Sequence, residues 1–302
     1  MLHDGLGEES EFAQAHPLLN FVWFLFVLGI TMFAMHPAFL MVSFVASWIY
    51  SVMLRGKKAV KFNCFLVVFT LVVMTLLNTL NVHNGVTVLF YLNGNRITLE
   101  AAAYGAAASV MLSAMIIWFS CFNVIMKSDK IVYLFGRIAP VLALTISMIF
   151  RFIPLLQNRF AEITAGQRCM GRTINGKSLL KTARQLAKEV SILIAWSLEA
   201  SIESSDSMEA RGYGLKGRTS FHLYKLSRRD GLLLAAALPA GVLAAIGCAA
   251  GLMTIYYYPK IILPMLSVWQ LACLAVYIIL LLLPILLDLG GVRKWRLLSS
   301  EM

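Results

Sequence analysis

The chain has 302 residues, of which 60% are hydrophobic and 14% charged, with a formal net charge of +11 and a mean hydropathy of +0.78. An ordinary soluble domain carries about 25% charged residues, so a water-covered surface cannot be built from this composition and the soluble enzyme class is excluded. The positive charge is that expected of a protein lying against anionic lipid, and no nucleic-acid partner is predicted from it.

The amino terminus carries Asp4, Glu8, Glu9 and Glu11 but no Lys or Arg, and so lacks the basic start of a cleaved signal peptide. Between Phe12 and Leu54 the only ionisable groups are His16 and His36. A single helix of that length, at about 1.5 Å per residue, would be twice as long as the ~30 Å hydrocarbon layer, so the segment must cross twice. His36-Pro37 is the natural break, because proline disfavours helical geometry in the residue before it and has no backbone N–H to donate. Spans are predicted at Pro17 to Met35, Ala38 to Leu54, Phe62 to Leu80, Ala101 to Met126, Gly231 to Tyr257 and Ile261 to Leu287.

Orientation follows from the basic residues, which concentrate in cytoplasmic segments. With the amino terminus inside, all of the 26 Lys and Arg except Arg96 and Lys260 are cytoplasmic. A crossing at Ile138 to Phe150 would put thirteen basic residues between Arg159 and Arg229 outside; that stretch is read instead as a helix at the membrane face. The expected organisation is a cytoplasmic amino-terminal segment (1–16), four transmembrane helices (17–126), a basic cytoplasmic block (127–230), two further transmembrane helices (231–288) and a cytoplasmic tail (289–302).

Within the block, Ile149, Phe152, Leu156, Phe160 and Ile163 recur at helical spacing, as do Leu179, Ala183, Leu186, Val190 and Leu193 after a gap at Arg172 to Gly176. Two amphipathic helices of about thirty residues, each about 45 Å long, are predicted. The gap contains Gly171-Arg-Thr-Ile-Asn-Gly176-Lys177-Ser178, a letter-for-letter match to the Walker A phosphate loop. A phosphate loop joins a buried strand to a helix and needs a strand-borne Mg²⁺-binding Asp nearby. Neither is predicted here, so the stretch reads as a helix-helix linker.

Glu199, Glu203 and Asp206 share one helix face without a nucleophile or base beside them. The five cysteines and five histidines, His3, His16, His36, His83 and His222, have no metal-ligand spacing. Catalytic, metal and cofactor residues are therefore all predicted to be absent. The second long helix ends in Met208-Glu209-Ala210-Arg211-Gly212-Tyr213-Gly214. Glycine there stops the helix and admits a close backbone, and Arg211 presents a planar five-donor fork. An ordinary glycine stop with a basic residue near it would read the same way.

The order and spacing of these features resemble the transmembrane T component of energy-coupling-factor transporters, which includes the CbiQ-like subunits of cobalt and nickel importers. Arg151-Phe152-Ile153-Pro154-Leu155-Leu156 is similar to the family's entry into its first coupling helix, and Met208 to Gly212 to the second of its two Ala-Arg-Gly motifs. The resemblance implies an all-α integral membrane protein of about six transmembrane helices with two long cytoplasmic coupling helices. It implies two cytoplasmic ABC ATPase subunits as partners, which hold the ATP and Mg²⁺, and a membrane-embedded S component that captures a vitamin or metal ion. Ala210, Arg211 and Gly212 would form one ATPase-docking tip. The other would be Arg168, Cys169, Met170 and Gly171, with Met170 standing where the family has Arg. The alternatives are a substrate-translocating permease of a conventional importer and an intramembrane enzyme.

Overall fold

A computed structural model describes residues 10–82, 85–92, 95–136, 139–171, 179–215, 224, 226–259 and 267–300. The chain forms two compact units, unit 1 comprising Met1–Ile131 with Tyr224–Met302 and unit 2 comprising Val132–Leu223.

Unit 1 contains α1 (Glu11–Gln14), α2 (Pro17–Phe33), α3 (Pro37–Arg55), α4 (Lys57–Asn81), α5 (Leu99–Ile125), α9 (Arg228–Ala249) and α10 (Val268–Ser300). Five of these, α3, α4, α5, α9 and α10 as far as Arg293, are long and apolar enough to cross a bilayer, and α2 is a shorter apolar helix of 17 residues. The protein is thus an all-α integral membrane protein. The His36-Pro37 break falls where expected, and the same device starts both α2 and α3: proline takes the first helical position, and the preceding histidine, His16 or His36, accepts a hydrogen bond from the next backbone N–H, of Leu18 or Ala38, at 3.2 Å.

In the bundle, α5 packs against both α3 and α4, and α9 against both α2 and α10. Its centre is aromatic. Trp23 and Trp118 meet edge to face at 5.4 Å, Phe12 and Phe24 pack on Trp23, and all four are completely buried. One set of buried hydroxyls is paired between helices: Thr31 Oγ1 lies 3.0 Å from Ser43 Oγ and 2.9 Å from the Tyr277 hydroxyl, and Trp118 Nε1 donates to Ser43 at 3.2 Å. These groups act as interhelical ties. The opposite surface of α4, with Phe65, Val68, Phe69, Val72 and Leu76, is exposed, as a lipid-facing helix requires.

Three features depart from expectation. An antiparallel hairpin, β1 (Val88–Leu92) with β2 (Asn95–Thr98), precedes α5. Its entry is tied down by Glu100, whose carboxylate accepts the Thr87 hydroxyl at 2.8 Å and the Thr87 N–H at 3.1 Å. Helix α9 stops at Ala249, eight residues short of the predicted Tyr257. Gly251, at φ 77°, turns the chain inward, and the Met253 carbonyl accepts the N–H groups of Met35 and His36 at 3.0 and 2.8 Å. The apolar character of residues 250–257 therefore serves a folded-back loop. Finally, residues 10–15 are no free tail, since Ser10, Phe12, Ala13 and Ala15 are buried.

A short helix, α6 (Ser128–Gly136), leads from unit 1 into unit 2, which holds α7 (Pro140–Cys169) and α8 (Leu179–Ala210). Both long helices occur at about the predicted length, and α7 runs without a break from the Ile138 to Phe150 stretch into the first amphipathic stripe, through Pro154. Ile138 itself and the linker 172–178 lie outside the described residues.

Candidate functional site

The two long helices pair in antiparallel fashion. Thr164 of α7 meets Glu189 of α8, Gln167 meets Gln185 and Arg159 meets Trp196, so advance along one helix is retreat along the other. Glu189, 1% exposed, accepts the Thr164 hydroxyl at 2.9 Å and the Gln185 amide at 3.1 Å, and that amide also donates to Gln167 at 3.3 Å. The Arg159 guanidinium lies 5.0 Å from the Trp196 ring centre, a cation–π contact that closes the far end of the pairing.

The α7 stripe is turned inward from Phe152 through Leu156 and Phe160 to Ile163, whereas Ile149, its first predicted residue, is exposed. On α8 the predicted face is wrong. Leu186 and Val190 are exposed, and the residues turned inward are Thr182, Gln185, Glu189, Leu193 and Trp196, at steps of three and four. An exposed apolar row, Leu186, Val190, Ile194, Leu198 and Ile202, is left along the other side.

Both helices end in the same way. In α8, Arg211 is the last residue before Gly212, which sits in the left-handed region at φ 81°. The Tyr213 N–H reaches back to the Met208 carbonyl at 3.0 Å and the Gly212 N–H to the Glu209 carbonyl at 2.9 Å, the paired bonds of a Schellman cap. In α7, Met170 is the last residue before Gly171, at φ 74°, and the Gly171 N–H bonds the Arg168 carbonyl at 3.0 Å. Met170 and Arg211 therefore occupy the same station on equivalent caps, and both are exposed. Helix α9 has the same cap at Gly251 with Ala250 at that station, so the cap alone is only a helix stop. What distinguishes α7 and α8 is a long exposed side chain placed on it.

The predicted tip residues fall into two separate groups: Arg168, Cys169, Met170 and Gly171 end α7, and Ala210, Arg211 and Gly212 end α8. Gln167 lies opposite Gln185, so the Met170 tip is beside the first turns of α8. Arg211 lies twenty-six residues beyond Gln185 on α8, a distance of about 39 Å at 1.5 Å per residue. Of the phosphate-loop match only Gly171 is among the described residues, and the element before it is helix α7 rather than a strand. Glu199, Glu203 and Asp206 are exposed on α8. Among the described residues, no three His, Cys, Asp or Glu side chains are grouped to hold a metal ion.

A bundle of apolar helices with two long helices inserted between α5 and α9, each ending in an exposed glycine-capped tip, defines a multi-pass membrane protein. The chain belongs to the CbiQ family of cobalt transport proteins, whose family model matches residues 9–222. Over 95 residues it is 38% identical to the energy-coupling factor transporter transmembrane protein EcfT of Lactobacillus helveticus (strain DPC 4571), a match that covers 31% of this chain and 34% of that protein. The match thus spans about a third of that relative's length.

Proposed function

We propose that the protein is the transmembrane coupling subunit of an energy-coupling-factor importer. It relays ATP binding and hydrolysis by two cytoplasmic ABC ATPase subunits to a membrane-embedded S component that captures a vitamin or a transition-metal ion. Family membership and the EcfT relative support the transporter part of this reading. The coupling part is carried by one observation: two similar caps, each with a long exposed side chain, stand more than about 39 Å apart along α8. That separation suits two partner grooves and is too wide for one.

Arg211 offers a groove carboxylate a charge-assisted, bidentate contact, and Met170 offers apolar surface and shape. Unlike tips call for unlike grooves, as in a pair of non-identical ATPases. The exposed row from Leu186 to Ile202 supports an apolar partner beside unit 2, which an S component would supply. ATP and Mg²⁺ belong to the ATPase subunits in this reading, and this chain is not catalytic. The distribution of Lys and Arg supports placing residues 127–230 and both termini in the cytoplasm.

The test is co-purification of the ATPase subunits together with uptake, at measured membrane abundance. Hydrogen bonds to charged groups contribute roughly 1.5 to 3 kcal/mol, so Arg211→Glu is expected to weaken assembly by about tenfold or more. Met170→Ala is expected to cost less. Met170→Arg is expected to weaken assembly by burying an unpaired charge in an apolar groove. Normal assembly and uptake by Arg211→Glu at wild-type abundance would overturn the assignment.

A further inference from the structure

Residues 10–15 carry no motif, yet Ser10, Phe12, Ala13 and Ala15 are buried and tied to the rest of unit 1. Ser10 caps α1 by accepting the Ala13 N–H at 3.0 Å, and Phe12 is completely buried in the aromatic centre of unit 1. Three contacts then run outward to three different parts of the chain. The Phe12 N–H donates to Asp288 Oδ1 of α10 at 2.9 Å, inside the protein. Glu11 Oε2 accepts from Arg229 Nη1 of α9 at 2.6 Å. The Ala13 carbonyl accepts from Lys130 Nζ of α6, and Lys130 is itself buried. Gly291 of α10 lies so close to Glu11 that a Cβ there would collide with the Glu11 Cγ.

Lys130 and Arg229 are not arbitrary partners. Unit 2 begins at Val132 and ends at Leu223, so these two residues lie on the two chain segments by which unit 2 is joined to unit 1. We propose that Ser10–Ala15 is a clasp fastening both of those segments to the carboxyl end of α10, with Glu11 and Asp288 as its positioning residues. The inference rests on the coupling function proposed above. A lever transmits displacement only when its base is fixed, and loosening either root lets motion at the tips dissipate as local disorder instead of reaching the transmembrane helices. The Glu11–Arg229 pair is partly exposed and adds little stability by itself. Its role is to set the position of the root.

Two readouts test the clasp. In the isolated protein, with the native cysteines replaced, spin labels at Ser128 and Arg228 report the spacing of the two roots. A narrow distance distribution is expected in the wild type, a broad one in Glu11→Arg, and a narrow one again when Arg229→Glu is added. In the assembled transporter in proteoliposomes, uptake per ATP hydrolysed is expected to fall about fivefold in Glu11→Arg and to recover in the charge swap. Gly291→Ala, which removes no charge, is expected to act in the same direction by displacing Glu11. Unchanged distance distributions in both Glu11→Arg and Gly291→Ala would overturn the clasp. So would a loss of coupling that the swap does not restore. If the ATPases fail to co-purify with the wild type, the coupling function falls instead, and the distance measurement still decides whether the clasp exists.

Discussion

The interiors of the two units are built on opposite principles. In unit 1 the buried centre is aromatic and aliphatic, with Trp23, Phe24, Phe39 and Trp118 fully enclosed and hydroxyls paired between helices. In unit 2, α7 and α8 are joined by hydrogen bonds through Thr164, Gln167, Gln185 and Glu189 beside a partly buried apolar stripe, and an apolar row of α8 is exposed. A core packed with apolar side chains is stabilised by the area it hides from water. A contact made through directional hydrogen bonds gives less net stabilisation and instead selects one register, since a slip leaves buried donors and acceptors unpaired. Unit 1 is organised for permanence. Unit 2 holds two long helices in one alignment while an apolar row of α8 stays exposed.

The largest test of that contrast is Trp118→Ala. Removing a fully enclosed indole from unit 1 costs about 3 to 5 kcal/mol, and a sharp fall in membrane abundance and melting temperature is expected. Retention of wild-type stability would mean that this centre is not the core. A smaller effect is expected from Glu189→Ala, which strands Thr164 and Gln185 at a cost of about 1 to 3 kcal/mol. Amide hydrogen exchange should speed up in α7 and α8 and stay unchanged in α3 and α5. Its exposed neighbour sharpens the comparison: Val190→Gln should shift stability by less than about 0.5 kcal/mol. Equal exchange profiles for the two variants would remove the register argument.

A separate test, of unit 1 alone, is a pH dependence. Burial, helped by nearby Lys127, lowers the Lys130 ammonium to about 8. The folded protein then releases this proton before the unfolded chain does. The cost of enclosing the charge is present in full below pH 8 and is relieved as the pH rises toward the usual value of 10.5. The melting temperature of the wild type relative to Lys130→Met should therefore climb across that interval. A flat or falling difference would place Lys130 in water.

The helices were legible because an uncharged run too long for one crossing has to be broken, and His36-Pro37 breaks it. The tips were legible because Gly171 and Gly212 follow long amphipathic patterns directly. Other features were hidden for identifiable reasons. Hydropathy extended α9 to Tyr257 because Met253 and Tyr257 are apolar and buried in a loop, and a loop of that kind looks like helix to any measure of polarity. The hairpin did leave a signal, in Asn93-Gly94 between Val88-Leu-Phe-Tyr-Leu and Arg96-Ile-Thr, a favoured two-residue turn overlooked in a sequence dominated by helix. On α8 the packed face shares only Leu193 with the apolar stripe read from the sequence. The stripe at Thr182, Gln185, Glu189 and Trp196 has the same period, and nothing in a period says which face packs inward. The clasp left no trace, because Asp288 and Phe12 are 276 positions apart.

The shared cap has a consequence for how such a protein can change over time. The Gly212 and Tyr213 N–H groups turn back onto the carbonyls of α8, and the Gly171 N–H turns back onto that of Arg168. None of these bonds involves the side chain at the station before the glycine. Arginine at one helix end and methionine at the other leave the helix stop intact, so a single codon can change the exposed side chain there without putting the fold at risk. Two helix ends built in this way are free to diverge independently, each without disturbing its own stop.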